Sequence, residues 1–198
     1  MAVDETALAN SISLLSAAVR SIDGPPVHLI STQLTAIVGA AAEVLGVDCV
    51  GVLLLDEGGR LRSVASSTAV AAALELAQQQ LGMGPGHDSQ TGRRTVAVAD
   101  LAEVASYAPL TAEVAPLGVR AVLSAPIWCG DLVVGNLNLI RAQGRAWTET
   151  EISAAEAYAG VVGRLLGLAS DAWAGGSLVS RLRNTTQLDG SEHRADQC

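Results

Sequence analysis

The chain has 198 residues, a net charge of −8 and a sequence pI near 4.7, a length that fits one domain of common size with helical flanks. It is 49% apolar but only 3% aromatic, with no phenylalanine, and all twelve basic residues are arginine. An acidic chain without a basic run repels a phosphate backbone and offers few rings on which bases could stack, which excludes direct nucleic-acid binding as an expectation.

Residues 5–22 read as a helix in which Leu8, Ile12, Leu15, Val19 and Ile22 alternate spacings of four and three, the seam of a helix that pairs with another. Gly24-Pro25-Pro26 stops it. A second helix over 27–45 carries Ile30, Leu34, Ile37, Val38, Ala41 and Leu45 on one side and ends at Gly46. Residues 48–55 form a strand too apolar to have a wet face, and Asp56-Glu57-Gly58-Gly59 turns it into a partner at 61–66. Ser67 or Thr68 caps an alanine-rich helix that runs to about Gln80. The glycine-rich turn LGMGPG follows, then a short strand at 95–98 and an irregular stretch with a helical piece near 111–117. Two apolar strands, 119–128 and 132–141, fold back at Cys129-Gly130-Asp131. Thr148-Glu149-Thr150-Glu151 is a capping box that opens a long helix to about Trp173. Along that helix Ile152, Ala155, Ala159, Val162, Leu166, Ala169 and Trp173 repeat at 3.5 residues, the period of a helix packed on a helix.

This order predicts an α+β fold: an antiparallel sheet of five to six strands with helices on one face and the N- and C-terminal helices packed together. Three segments follow from it. Residues 1–24 contribute a helix to a dimer bundle, 25–173 form the main domain, and 174–198 are a polar tail expected to be mobile. The dimer interface is expected on Leu8, Ile12, Leu15 and Val19 together with Ile152, Ala155, Ala159, Val162, Leu166 and Trp173.

Gly82, Gly84 and Gly86 around Pro85 free backbone amides at a helix start, where a carboxylate or phosphate would bind; the alternative is a tight turn that needs positive φ. The spacing is neither a P-loop nor a dinucleotide fingerprint. His87 and Asp88, beside Gln90, Arg93 and Tyr107, are candidates for a pocket mouth, with Arg93 or Arg94 as the anchor for an anion. Asn136 and Asn138 share parity on an apolar strand, and Ser124 on the neighbouring strand would face them. Ligand contacts or a wet sheet face both fit that pattern. No nucleophile elbow, HExxH pair or Cys-His arrangement occurs, and Cys49, Cys129 and Cys198 have no metal-ligand spacing, so no catalytic residue, metal site or cofactor is expected. No run reaches the roughly 18–20 apolar residues of a membrane span, and the N-terminus lacks the basic start of a secretory signal, so a cytoplasmic location is expected.

The GxGP turn, the VAVADL strand end, the SAPI strand and the VVGNLNL strand resemble, as a set, those of GAF domains, above all the GAF domains that precede RNA-binding ANTAR segments in high-GC Gram-positive bacteria. The likeness covers most of residues 25–172. It implies a non-enzymatic sensory module that binds a small molecule or a partner protein through Gly86, His87, Asp88, Gln90, Arg93, Tyr107, Ser124, Asn136 and Asn138 and signals as a homodimer. It also implies what is missing: a chain without lysine or phenylalanine has no NKFDE cyclic-nucleotide signature, residues 107–124 lack the histidine of haem-binding relatives, and Gly86 stands where relatives often carry cysteine. The alternatives are a GAF-type free methionine sulfoxide reductase and a purely structural dimerisation module.

Overall fold

A computed structural model describes the backbone of residues 27–171 and the side chains of 34–167. The seam residues Leu8, Ile12, Leu15 and Val19, together with Trp173 and Cys198, lie outside the described residues.

Helix α1 (Val27–Leu45) precedes a hairpin of β1 (Cys49–Leu55) and β2 (Leu61–Ser66). Helices α2 (Ala69–Leu81) and α3 (Pro85–Gly92) follow, then β3 (Val96–Val98), two 3₁₀ turns, and α4 (Ala108–Val114). The chain closes with the hairpin β4 (Ala121–Cys129) and β5 (Leu132–Arg141) and the long α5 (Glu149–Asp171). The strands form one five-stranded antiparallel sheet in the order β2-β1-β5-β4-β3, which puts β5 at the centre. This is the α+β class that the order of elements predicts.

Several local signals act as read. The Thr68 hydroxyl accepts from the Ala71 amide at 3.2 Å and starts α2. At the start of α5 the Glu151 carboxylate accepts from the Thr148 amide at 2.9 Å while the Thr148 hydroxyl accepts from the Glu151 amide at 3.3 Å.

Helices cover both faces of the sheet rather than one. On one face α1 and α5 bury Leu34, Ile37, Val38 and Ala41 with Ala155, Tyr158, Ala159, Val162 and Leu166 against Val50, Val52, Leu123, Ala125, Ile127, Leu137 and Leu139. The Tyr158 hydroxyl donates to the Ile37 carbonyl at 2.8 Å and ties the two helices. On the other face α2 and α4 bury Ala71, Leu74, Leu110 and Val114 against Cys49, Val122 and Ile140. Two faces are covered because every strand residue from Cys49 to Leu54 and from Ala121 to Ile127 is buried, leaving no wet side.

The expected dimer seam is corrected on α5. Ala155, Ala159, Val162 and Leu166 are buried in the chain's own core, where they meet the sheet and α1. The repeat marks the face that α5 lays on the sheet, above all on β4, with α1 of the same chain beside it. Ile152, partly buried, packs at the edge of the same cluster.

The close approach of α5 to β4 rests on Gly163, where a Cβ would stand 2.1 Å from the Trp128 carbonyl oxygen. Alanine in a helix interior is ordinarily favoured over glycine by about 1 kcal/mol. Here Gly163→Ala is expected to destabilise by about 1–3 kcal/mol, because helix and strand must separate. A urea titration followed by tryptophan fluorescence checks it; a stabilised variant would refute the close approach.

Candidate functional site

The central strand carries two asparagines in a fully buried setting. Asn136 and Asn138 point to the face covered by α2 and α3, and both are 0% exposed. Asn138 is flanked in register by Gly51 on β1 and Ser124 on β4. Gly51 leaves room above the sheet that Glu75 of α2 fills: a Cβ at position 51 would stand 2.3 Å from Glu75 Oε1. Asn138 Nδ2 donates to that oxygen at 2.8 Å and to Asn136 Oδ1 at 3.0 Å, while its own Oδ1 accepts from the Ser124 hydroxyl. Asn136 Nδ2 donates to the Gly86 carbonyl at 2.8 Å, and the Gly86 amide donates to Gln78 Oε1 at 2.8 Å.

The glycine turn is built for that contact. Gly84 has φ +128°, a conformation that only glycine adopts readily, and a Cβ there would stand 2.6 Å from Gln78 Oε1. Gly86 passes so close to Asn136 and Gln78 that a Cβ would come within 3.0 Å of both side-chain oxygens. The Gly86 amide is therefore committed to Gln78 and is not open to an anion.

Glu75, Gln78 and Ser89 are each 0% exposed and each leaves a polar atom without a partner: Glu75 Oε2, Gln78 Nε2 and Ser89 Oγ. A buried polar atom left unpaired costs about 1–3 kcal/mol, so this interior is built at a cost that packing alone does not explain.

Of the residues singled out from sequence, Gly86, Ser124, Asn136 and Asn138 come together in this network. Asp88 and Tyr107 meet at its outer side, where the tyrosine hydroxyl donates to Asp88 Oδ2 and joins α3 to the segment before α4. His87 is half-buried, and burial pushes its pKa down against the opposing charge of Asp88. Gln90 is partly buried, and its Oε1 accepts from the Thr91 hydroxyl at 3.4 Å. Arg93 is exposed; it closes α3 with φ +52°, donates to the Asp131 carbonyl at 2.7 Å and lies 4.9 Å over the Trp128 ring. It clamps α3 to the hairpin tip, and the structure does not bring it into the polar network. Glu75, Gln78 and Ser89 are not among the residues expected from sequence. Ala71, Leu74, Glu75 and Gln78 sit at helical spacing on one buried stripe, and that spacing was the available signal.

A separate cleft of 290 Å³ at the far end of β5 is lined by Gly46, Asp48, Arg141, Ala142, Gln143 and Arg145. Both its guanidiniums are held by Glu151, at 2.6 Å from Arg141 and 2.7 Å from Arg145. Among the described residues no cluster of histidine, cysteine and carboxylate suits a metal ion, and no helix is long and apolar enough to cross a membrane.

Residues 30–166 match the GAF domain family. The chain belongs to the GAF family. No curated protein matches it. Among solved structures, the GAF domain of an Acinetobacter phosphoenolpyruvate-protein phosphotransferase aligns with a TM-score of 0.62 at 17% identity, covering 85% of this chain and 96% of that one. The cyanobacteriochrome TePixJ GAF domain aligns at 0.58 and 24% identity, over 72% and 91% of the two chains. The free methionine-R-sulfoxide reductase of Neisseria meningitidis, solved with its substrate, aligns at 0.62 and 15% identity, over 87% and 96%. At these identities the likeness is one of fold. GAF neighbours thus include both sensory proteins and an enzyme.

Within this GAF domain the buried carboxyl titrates abnormally. Desolvation raises Glu75 from 4.5 to about 8, opposed only by the Asn138 hydrogen bond. The unfolded chain ionises near the ordinary value while the folded chain holds its proton, so stability is lost as pH rises from 4.5 towards 8. Between about pH 7 and pH 8 the expected loss is roughly 1 kcal/mol, and Glu75→Gln, which cannot ionise, is expected to abolish it. Urea midpoints of both proteins at the two pH values check this; equal slopes would show that Glu75 is ionised in the fold.

Proposed function

We propose that this chain is a non-enzymatic sensory GAF domain that takes a small molecule into the polar interior between β5 and helices α2 and α3. The observation that carries the reading is the set of three buried, unpartnered polar atoms on Glu75, Gln78 and Ser89, of which Glu75 is bonded to Asn138 and Gln78 is linked to Asn136 through Gly86. A ligand that meets them supplies hydrogen bonds that the chain's own groups do not. Binding one arrangement of α3 and the sheet more tightly than another shifts the balance between them. Arg141 at the end of β5 is bonded to Glu151 in the first turn of α5, which gives the sheet a direct grip on the long helix.

The output in this reading is a homodimer paired through the seam at Leu8, Ile12, Leu15 and Val19, with a cytoplasmic partner protein downstream. The resemblance to GAF–ANTAR regulators favours transcription regulation as the process served. Thiol placement supports the non-enzymatic half: Cys49 lies in the α2-side core, whereas Cys129 lies on the α5 side, its Sγ 3.4 Å from a Cβ at Gly167. Burial also pushes the Cys49 thiol up, away from the reactive thiolate.

Native mass spectrometry of the purified chain tests the proposal. A dimer that carries a small adduct, lost on denaturation, is the expected result. A monomer would overturn the dimer half. A protein that stays free of adduct after incubation with a cell metabolite extract would overturn the ligand half.

A further inference from the structure

The hydrogen-bond network around Asn136 has a direction that its backbone partner imposes. The Gly86 amide can only donate, so the Gln78 atom it meets at 2.8 Å is the carbonyl oxygen and the Gln78 amide nitrogen is left over. The Gly86 carbonyl can only accept, so Asn136 presents its nitrogen there and its oxygen to Asn138. Asn138 in turn gives its second proton to Glu75 Oε1, so a neutral Glu75 carries its own proton on the unpartnered Oε2. Two loose ends of the network are therefore donors, the Gln78 amide and the Glu75 carboxyl, and the buried Ser89 hydroxyl of α3, free to donate or accept, is also unpartnered.

Charge narrows the ligand further. Facing Glu75 are the Cys49 thiol from β1 and the uncharged Ser124, Asn136 and Asn138 from β4 and β5. The half-buried His87 of α3 hydrogen-bonds the Gln78 backbone. Both arginines that end α3 are exposed, and Arg93 is engaged with Asp131 and Trp128. Among the described residues no buried cation stands beside Glu75 to receive an oxyanion.

Resting on the sensory reading above, we propose that this site recognises its ligand through an uncharged acceptor oxygen of the carbonyl or amide type, received by the Gln78 amide, the Ser89 hydroxyl and the Glu75 carboxyl. Ionisation of Glu75 turns one donor into a charged acceptor and expels such a ligand. The site is then selective for neutral carbonyl compounds and loses them in alkali.

Three small fragments separate the chemistries: N,N-dimethylacetamide, which only accepts, acetate, which is anionic, and methylammonium, which is a cationic donor. The readout is the shift of the Gln78 and Asn136 side-chain amide signals in nitrogen-15 NMR of the full chain. Dimethylacetamide is expected to shift them near pH 6, with apparent affinity falling about tenfold per pH unit above pH 8. Glu75→Gln, whose amide donates as the neutral acid does, is expected to flatten that profile. Preference for acetate or methylammonium, affinity that rises above about pH 8, or no response to any fragment would each overturn the inference. Where the purified protein carries a native adduct yet no fragment responds, the acceptor inference fails and the sensory reading stands; where neither binds, both fail.

Discussion

Two asparagines on the middle strand of the sheet need partners that water cannot reach. Each buried amide left unpaired costs about 1–3 kcal/mol, so the elements above Asn136 and Asn138 are constrained by what they must supply. Helix α2 supplies Glu75 and Gln78 from its sheet-facing stripe. The turn into α3 supplies both backbone groups of Gly86. Glycine at 51 makes the room. Strand register, helix placement and turn conformation on this face are consequences of one requirement.

The two faces of the sheet therefore do different work. The α1–α5 face is closed by aliphatic packing, with a buried Tyr158 bond between the helices, and dispersion and desolvation hold it in one arrangement. The other face has its own aliphatic cluster and adds directional bonds with loose ends, and such networks favour one arrangement only when every member is met. The loose ends are on α2 and α3, and the Tyr107 hydroxyl ties α3 to the segment before α4 through Asp88. Glu151 stands at the junction, where burial works against its charge yet Arg141, the Thr148 amide and Arg145 hold its carboxyl down at about 2. That ion cluster keeps the start of α5 attached to the end of β5 across the ordinary pH range.

Most of the fold was legible because its signals are local. A capping box, an Asp-Glu-Gly-Gly turn and a positive-φ glycine act over four or five residues, and each acts here as its chemistry dictates. What misled was non-local. The apolar repeat of α5 reports a buried face but not what covers it, and the cover is the sheet of the same chain with α1 beside it. Arg93 reads as an anchor by charge, whereas its place at a helix end, with left-handed backbone and a tryptophan beneath, makes it a clamp. Glu75 and Gln78 were hidden because polar residues on an alanine-rich helix ordinarily mark its wet face. Only their spacing with Ala71 and Leu74 puts them on the dry one.

The missing side chain at Gly51 and the long one at Glu75 occupy a single shared volume, and neither residue has meaning without the other. A methyl group added to the strand evicts the carboxyl, and a carboxyl withdrawn from the helix leaves a hole over the strand. Size is thus shared between the two positions: a side chain added at position 51 displaces the Glu75 carboxyl from Asn138, and a shorter residue at position 75 makes room for it.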